Sequence, residues 1–326
     1  MSGPFGHRLS RRRLQVGLGG LWLLDGCLQL QPHMLTEAFF VSMFETANIS
    51  LPSWLTGVEV HLDTLTGAHP APWDVIFAGI QLTLGVMLIT GRAVRPALAA
   101  SMAWALGVWV FGEGLGGLSL SGANAMTGAP GAAALYALAS LLLWPAAADD
   151  RAAVADTGMV RGTGSRIIWA GLWVGTAGLW LEYQSHMAEG PGGQLGGVGN
   201  GEPGWLAAVN HWAGSVVASH GPALAGLLGA LQLVAGLGVL APPTRRAALG
   251  VGIGLAGLYG LFGQDLGGLL TGQANDPGTG PVLVLIALVL WPRRNSGAAP
   301  GKGSAHDPGV AERVPAGLGP DRQAVG

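Results

Sequence analysis

The stretch FGEGLGGLSLSGAN, Phe111–Asn124, decides how the chain is read, because a second version of it, FGQDLGGLLTGQAN, Phe262–Asn275, follows 151 residues later. The same displacement pairs Pro52 and Trp54 with Pro203 and Trp205, His69 with His220, Gln81 with Gln232 and Arg95 with Arg246. A constant offset over so much chain marks a duplicated unit. Working outward from the two copies, each half contains four apolar runs, and the expected fold is all-α. It is a polytopic membrane protein with eight transmembrane helices arranged as two parallel four-helix repeats. Four is an even number, so both halves enter the membrane from the same side and are related by an axis along its normal.

Composition supports the membrane class. Half of the 326 residues are hydrophobic, 10% are charged and 57 are glycine, whereas soluble domains carry about 25% charged residues. The mean hydropathy is +0.45. Sixteen basic residues against 18 acidic ones give a net charge of −2, which leaves no basic surface for nucleic acid. Cys27 is the only cysteine, so neither an internal disulfide nor a two-thiol redox cycle can form.

The basic residues set the orientation. Arg8, Arg11, Arg12 and Arg13 precede the first run, Arg92 and Arg95 follow the second, and Arg151, Arg161 and Arg166 follow the fourth. Arg245 and Arg246 follow the sixth, and Arg293, Arg294, Lys302, Arg313 and Arg322 follow the eighth. With the N-terminus inside, all sixteen lie on the cytoplasmic side, while the other loops carry Glu37, Glu45, Glu59, Asp63 and Asp74. The positive-inside rule predicts this asymmetry. Both termini of a multi-pass cell-membrane protein are then cytoplasmic.

The expected organisation is a basic arm (1–13), a first membrane module (14–146), a cytoplasmic linker (147–165), a second module (166–292) and a disordered cytoplasmic tail (293–326). The first module holds spans at Leu14–Leu30, Val75–Thr90, Ala97–Leu120 and from Pro130, taken as the first helical position, to Leu142-Leu143-Trp144-Pro145. LTEAFFVSMF, in the outer loop between the first two, suits a helix lying in the interface. The second module holds spans at Ile167–Tyr183, Leu224–Leu240, Ala247–Leu270 and Pro281–Trp291, with an interfacial segment at Trp205–Ser219. SRRRLQVGLGG and LLDGC have the look of processing signals. Asp25 and the lack of a small-residue cleavage site argue for an uncleaved span. Gly112 with Gly116, and Gly263 with Gly267, have the spacing that lets helix backbones approach in lipid.

Candidate site residues come from the polar groups inside these spans. Asp25, Gln29 and His33 stand at i, i+4 and i+8 on one helical face, and Glu182 and His186 at i and i+4. At 1.5 Å per residue Asp25 lies roughly 18 Å beyond Arg13, in the outer half of the membrane. Glu113, Gln264 and Asp265 lie near the outer ends of spans three and seven. An ionisable group at that depth is a functional candidate by default. Gln81 and Gln232 read more simply as interhelical hydrogen bonds. Cofactor binding is therefore assigned to Asp25, Gln29, His33, Glu113, Glu182, His186 and Asp265. His33, Met34, His186 and Met187 combine imidazole with thioether, which suits copper, and imidazole also suits haem iron. No phosphate-cradling loop, nucleophile elbow or HExxH occurs.

FAGIQLTLGVMLITGRAVRPALAASMAW, Phe77–Trp104, resembles the second-to-third-span segment of DoxX-like membrane proteins, and RLQVGLGGLWLLDGCLQLQPHM resembles their first span. That group includes the small subunit of thiosulfate:quinone oxidoreductase and MauE-type maturation proteins. The resemblance implies a four-helix unit in each half, roughly 13–146 and 166–292, and a partner subunit in a membrane redox system. Gln81 stands where the family leads one to expect a glutamate, and the cysteine pairs of thiol-handling relatives are missing. No catalytic residue is carried over, and the reading leans away from an enzyme. Three functions stay open: an accessory module binding quinone or haem in a redox system, a carrier of a small solute or metal ion, and an outward-facing copper-handling protein. Oligomeric state, a homo-oligomer included, is left open by the sequence.

Overall fold

The computed structural model of the protein describes residues 9–145, 154–182, 193, 202–218 and 220–292. The expectations for the start of the basic arm, for most of the linker, for Arg151, His186 and Met187, for the glycine-rich loop of the second half and for the tail from 293 lie outside these residues. Among the described residues every regular element is helical.

In the first half α1 is Arg11–Gln29, α2 Glu37–Ser50, α3 Ser53–Gly67, α4 Pro70–Thr90, α5 Val94–Phe111 and α6 Ala132–Leu142. In the second, α7 is Gly162–Leu179, α8 Gly204–Ala218, α9 Gly221–Leu237, α10 Arg245–Leu258 and α11 Thr279–Leu290. Their ends follow local chemistry. Ser10 caps α1 by accepting from the Arg13 N–H, and Thr36 caps α2 by accepting from the Phe39 N–H. Pro70 and Pro72 open α4, where a missing N–H is harmless, and Gly91 closes it in the left-handed region at φ +74°.

Among the described residues three helices are long and apolar enough to cross a membrane: α4, α5, and α10 continued through a π turn to Gly263. The pair α8 and α9, bent by 103°, adds a fourth if taken as one span. Helices α6 and α11 are apolar but shorter. Packing joins α1 to α4, α5 to α6, α7 to α9 and α10 to α11, and α6 meets α11. At the α1–α4 crossing, a Cβ on Gly19 would stand 2.9 Å from the Gly85 carbonyl oxygen, and one on Gly85 2.8 Å from that of Gly19. Small residues therefore set that approach. Trp22, Tyr136, Trp169, Trp173 and Tyr259 are buried in the core.

The FGEGLGGL and FGQDLGGL stretches do not continue their helices. Gly114, Leu115, Gly116 and Gly117 take φ values of +53°, +60°, +67° and +65°, and Asp265, Leu266, Gly267 and Gly268 take +49°, +55°, +73° and +71°. Four successive left-handed residues reverse the chain just beyond α5 and just beyond the π turn. The helices therefore end at Phe111 and Gly263, short of the Leu120 and Leu270 expected as the ends of spans three and seven. The helical-face reading of Gly112 with Gly116 and of Gly263 with Gly267 is corrected for the same reason. A Cβ on Gly116 would lie 1.9 Å from the Pro130 carbonyl oxygen, and one on Gly267 2.4 Å from that of Asp276. These glycines admit a neighbouring loop, not a neighbouring helix. Two further corrections concern proline and aspartate. Pro130 precedes α6, whose N-cap is Gly131 at φ +100°, and Asp74 is fully buried in the first turns of α4 rather than in the outer loop.

Candidate functional site

Where the chain turns back after α5, Glu113 meets the start of α6. Its Oε1 accepts from the Ala133 N–H at 3.0 Å, satisfying one of the N–H groups a helix start leaves free. Its Oε2 is buried without a hydrogen-bond partner, and a Cβ on Gly131 would stand 2.1 Å from it. Gln264 meets the start of α11 in a similar way. Its Oε1 accepts from the Thr279 N–H at 2.8 Å, while its Nε2 donates to Thr279 Oγ1 at 2.8 Å and to the Ala125 carbonyl at 3.3 Å.

Between these two corners lies a cavity of about 410 Å³, whose lining includes Glu113, Thr127, Gln264, Asp276 and Thr279. Asp276 accepts from the Gly278 N–H at 2.6 Å. Burial pushes its carboxyl above the ordinary carboxylate range, against the Gly278 hydrogen bond, which lowers it. Asp25 does not line the cavity; it is buried with Oδ1 unpartnered and interacts with Asp276. Asp25, Glu113 and Asp276 all act electrostatically on the Tyr136 hydroxyl, whose ring packs on Trp22 with centroids 4.5 Å apart. Asp276 is the charged neighbour that acts on Glu113. The arrangement can offer protons and accept hydrogen bonds; the described residues bring no lysine or arginine to it.

The remaining candidates lie elsewhere. Gln29 is buried and donates through Nε2 to Asp74, tying α1 to α4. α1 ends at Gln29, so His33 leaves the helical face it was expected to share. It sits in the following turn, its ring edge-on to Phe39 at 6.2 Å. Met34 is fully buried in the core. Glu182 lies beyond the end of α7, where Gly122 N–H and Ser121 Oγ donate to it at 3.0 and 3.4 Å. Its expected partner, His186, lies outside the described residues. Among the described residues no group of three or more His, Cys, Asp or Glu could hold a metal. Gln232 donates to the Tyr259 hydroxyl at 2.8 Å, the packing role expected of it.

Asp265 is 2% exposed, with neither oxygen partnered, and faces Glu202. Asp74, Tyr136, Glu202, Asn210 and Asp276 were not among the sequence candidates. Asp276 alone carried a signal, since it follows immediately on the repeated Ala-Asn. Comparison with protein-family models, with curated proteins and with solved structures gave no match.

Proposed function

We propose that the chain is an eight-span membrane protein of two parallel DoxX-like four-helix repeats, and that the cavity between its two turned-back corners binds a small hydrogen-bonding ligand of the quinone class within a membrane redox system. The paired geometry supports the repeat. Left-handed runs recur at 114–117 and 265–268, and Glu113 and Gln264 each cap the helix that follows. Arg95 donates to the Pro145 carbonyl, and its counterpart Arg246 donates to that of Pro292.

One observation carries the ligand class. Glu113 and Asp276 line a common cavity, and no lysine or arginine of the described residues stands beside them. Burial raises both carboxyls above the ordinary carboxylate range, and in their protonated form they donate the hydrogen bonds that a quinone carbonyl accepts. Asp25 and Tyr136, which do not line the cavity, are further proton-bearing groups that interact with Asp276. A second reading, a carrier of a small cation, draws on the same carboxyls in their ionised form and on the cavity's place between the halves.

Glu113→Gln separates fold from binding, because Gln264 already shows a carboxamide performing the same cap. A short-chain quinone titrated into the detergent-purified protein should quench tryptophan fluorescence saturably. Glu113→Gln keeps a donor in its Nε2–H2 but cannot ionise, so it should bind the quinone about as tightly as wild type at acid pH and hold that binding as pH rises, whereas wild type should weaken at least about tenfold once its carboxyl ionises and stops donating. Wild-type quenching that does not saturate, or that is as strong at alkaline as at acid pH, would remove the quinone reading. Cation uptake into vesicles that depends on Glu113 would favour the carrier.

A further inference from the structure

A second polar site, independent of the cavity, lies where α8 meets the left-handed turn of the second half. Asn210 is 1% exposed, and its Nδ2 donates to Glu202 Oε1 at 2.9 Å. That bond fixes the amide against Glu202, yet its own Oδ1 is buried with no donor. Glu202 Oε2 is likewise buried and unpartnered, as are both oxygens of Asp265, which lies within hydrogen-bonding reach of Glu202. Four buried oxygens on these three linked side chains therefore lack a hydrogen-bond donor. Leaving even one such group unsatisfied is destabilising, and more so where it is charged.

Three occupants resolve such an arrangement: a proton shared between the carboxyls, water donating to the oxygens, or a cation among them. A proton between Asp265 and Glu202 leaves the amide oxygen of Asn210 unsatisfied, and water leaves two adjoining carboxylates without a countercharge, whereas buried charges are paired or coordinate metals; a cation meets both needs with all three residues as ligands. The first half supports a purpose for Asp265. The matching residue is Gly114, at φ +53° against +49° for Asp265. Glycine adopts that backbone freely and an aspartate less so, so the carboxylate is placed there at a conformational disadvantage. Glu59, the residue matching Asn210, is an acid where the second half has an amide.

We infer that Glu202, Asn210 and Asp265 bind a hard divalent cation of the calcium class. Two carboxylates and an amide oxygen are the ligand types such ions prefer, with water completing the shell. With so few protein ligands the affinity belongs with extracellular calcium modules, a Kd of about 10⁻⁴–10⁻³ M. In the proposed orientation the site faces outward.

The test uses the full-length protein in detergent near neutral pH, with radioactive calcium in equilibrium dialysis and calcium-dependent melting read by tryptophan fluorescence. Wild type should bind about one calcium per chain at saturation and melt at a higher temperature as calcium is added. Asp265→Asn and Glu202→Gln, which keep size and hydrogen-bonding capacity, should weaken binding at least about tenfold and abolish the calcium-dependent shift. Glu113→Gln should bind calcium as wild type does, which separates this site from the cavity. Wild type that takes up no calcium, or an Asp265→Asn protein that binds it equally well, overturns the inference. So does a protein that is stabilised by acid and indifferent to calcium, because the occupant is then the shared proton.

Discussion

Glu113 and Gln264 each hold a side-chain oxygen on the free N–H groups of a helix start, one as a carboxyl and the other as a carboxamide. The cap needs only the oxygen, so the difference in protonation chemistry is left to the cavity both residues line. Asp276 belongs to the same cavity and gives a pH prediction with a definite sign. Burial raises its folded pKa above the unfolded value, so the folded state binds the proton more tightly. The stability linked to that proton is fully present below the unfolded pKa and is lost as pH rises through the folded one. Asp276→Asn keeps an oxygen for the Gly278 N–H but cannot ionise. Across about pH 4 to pH 8 its melting temperature should fall less with rising pH than that of wild type. Thermal unfolding in detergent at a series of pH values measures this, and parallel curves for the two proteins would show that Asp276 does not contribute.

At the scale of elements, the repeated glycines act as a break. Gly116 and Gly107 differ in what surrounds them. At Gly116 φ is +67° and an added Cβ would collide with the Pro130 carbonyl, whereas at Gly107, inside α5, it would meet nothing within 4 Å. Gly116→Ala should therefore destabilise the protein by more than the roughly 1–2 kcal/mol of a left-handed alanine, because Pro130 must also move. Gly107→Ala should be neutral, or stabilising by up to about 1 kcal/mol through helix propensity. Melting temperatures of the two variants, measured side by side, check the contrast. The same residues show what the sequence could convey. Apolar runs set α1, α4, α9 and α11 to within a few residues, because burial and lipid contact both demand them. Hydropathy does not distinguish a helical Gly-Leu-Gly-Gly from a left-handed one, so spans three and seven were drawn too long. His33 was placed on a helical face by spacing that the end of α1 at Gln29 interrupts. Asp25 and Glu113 stand out in the sequence as acids among apolar residues. Asp276, Tyr136, Glu202 and Asn210 do not, since their importance lies in which side chains they face across the fold.

At the scale of the whole molecule, arginines gather the ends of several helices. Arg11 donates to the Trp144 and Val154 carbonyls at 2.9 and 2.7 Å and to Thr157 Oγ1 at 2.7 Å. Arg12 donates to the Leu88 and Ile89 carbonyls. The start of α1, the end of α4, the end of α6 and the approach to α7 thus meet at one end of the first half, and cations there satisfy carbonyls that the helix C-termini leave free. If that end faces the cytoplasm, Met159, 61% exposed beside it, is inside, and Ile49, 75% exposed at the end of α2, is outside. Replacing the single cysteine, Cys27, with serine allows one thiol to be introduced at either place. A membrane-impermeant maleimide applied to intact cells should label Ile49→Cys and leave Met159→Cys unlabelled until the membrane is opened. The reverse pattern would invert the protein and place the calcium site on the cytoplasmic side, where free calcium is too scarce for the affinity its three ligands allow. Labelling of both from outside would place the two residues on one side and break the even number of crossings on which the parallel repeat depends.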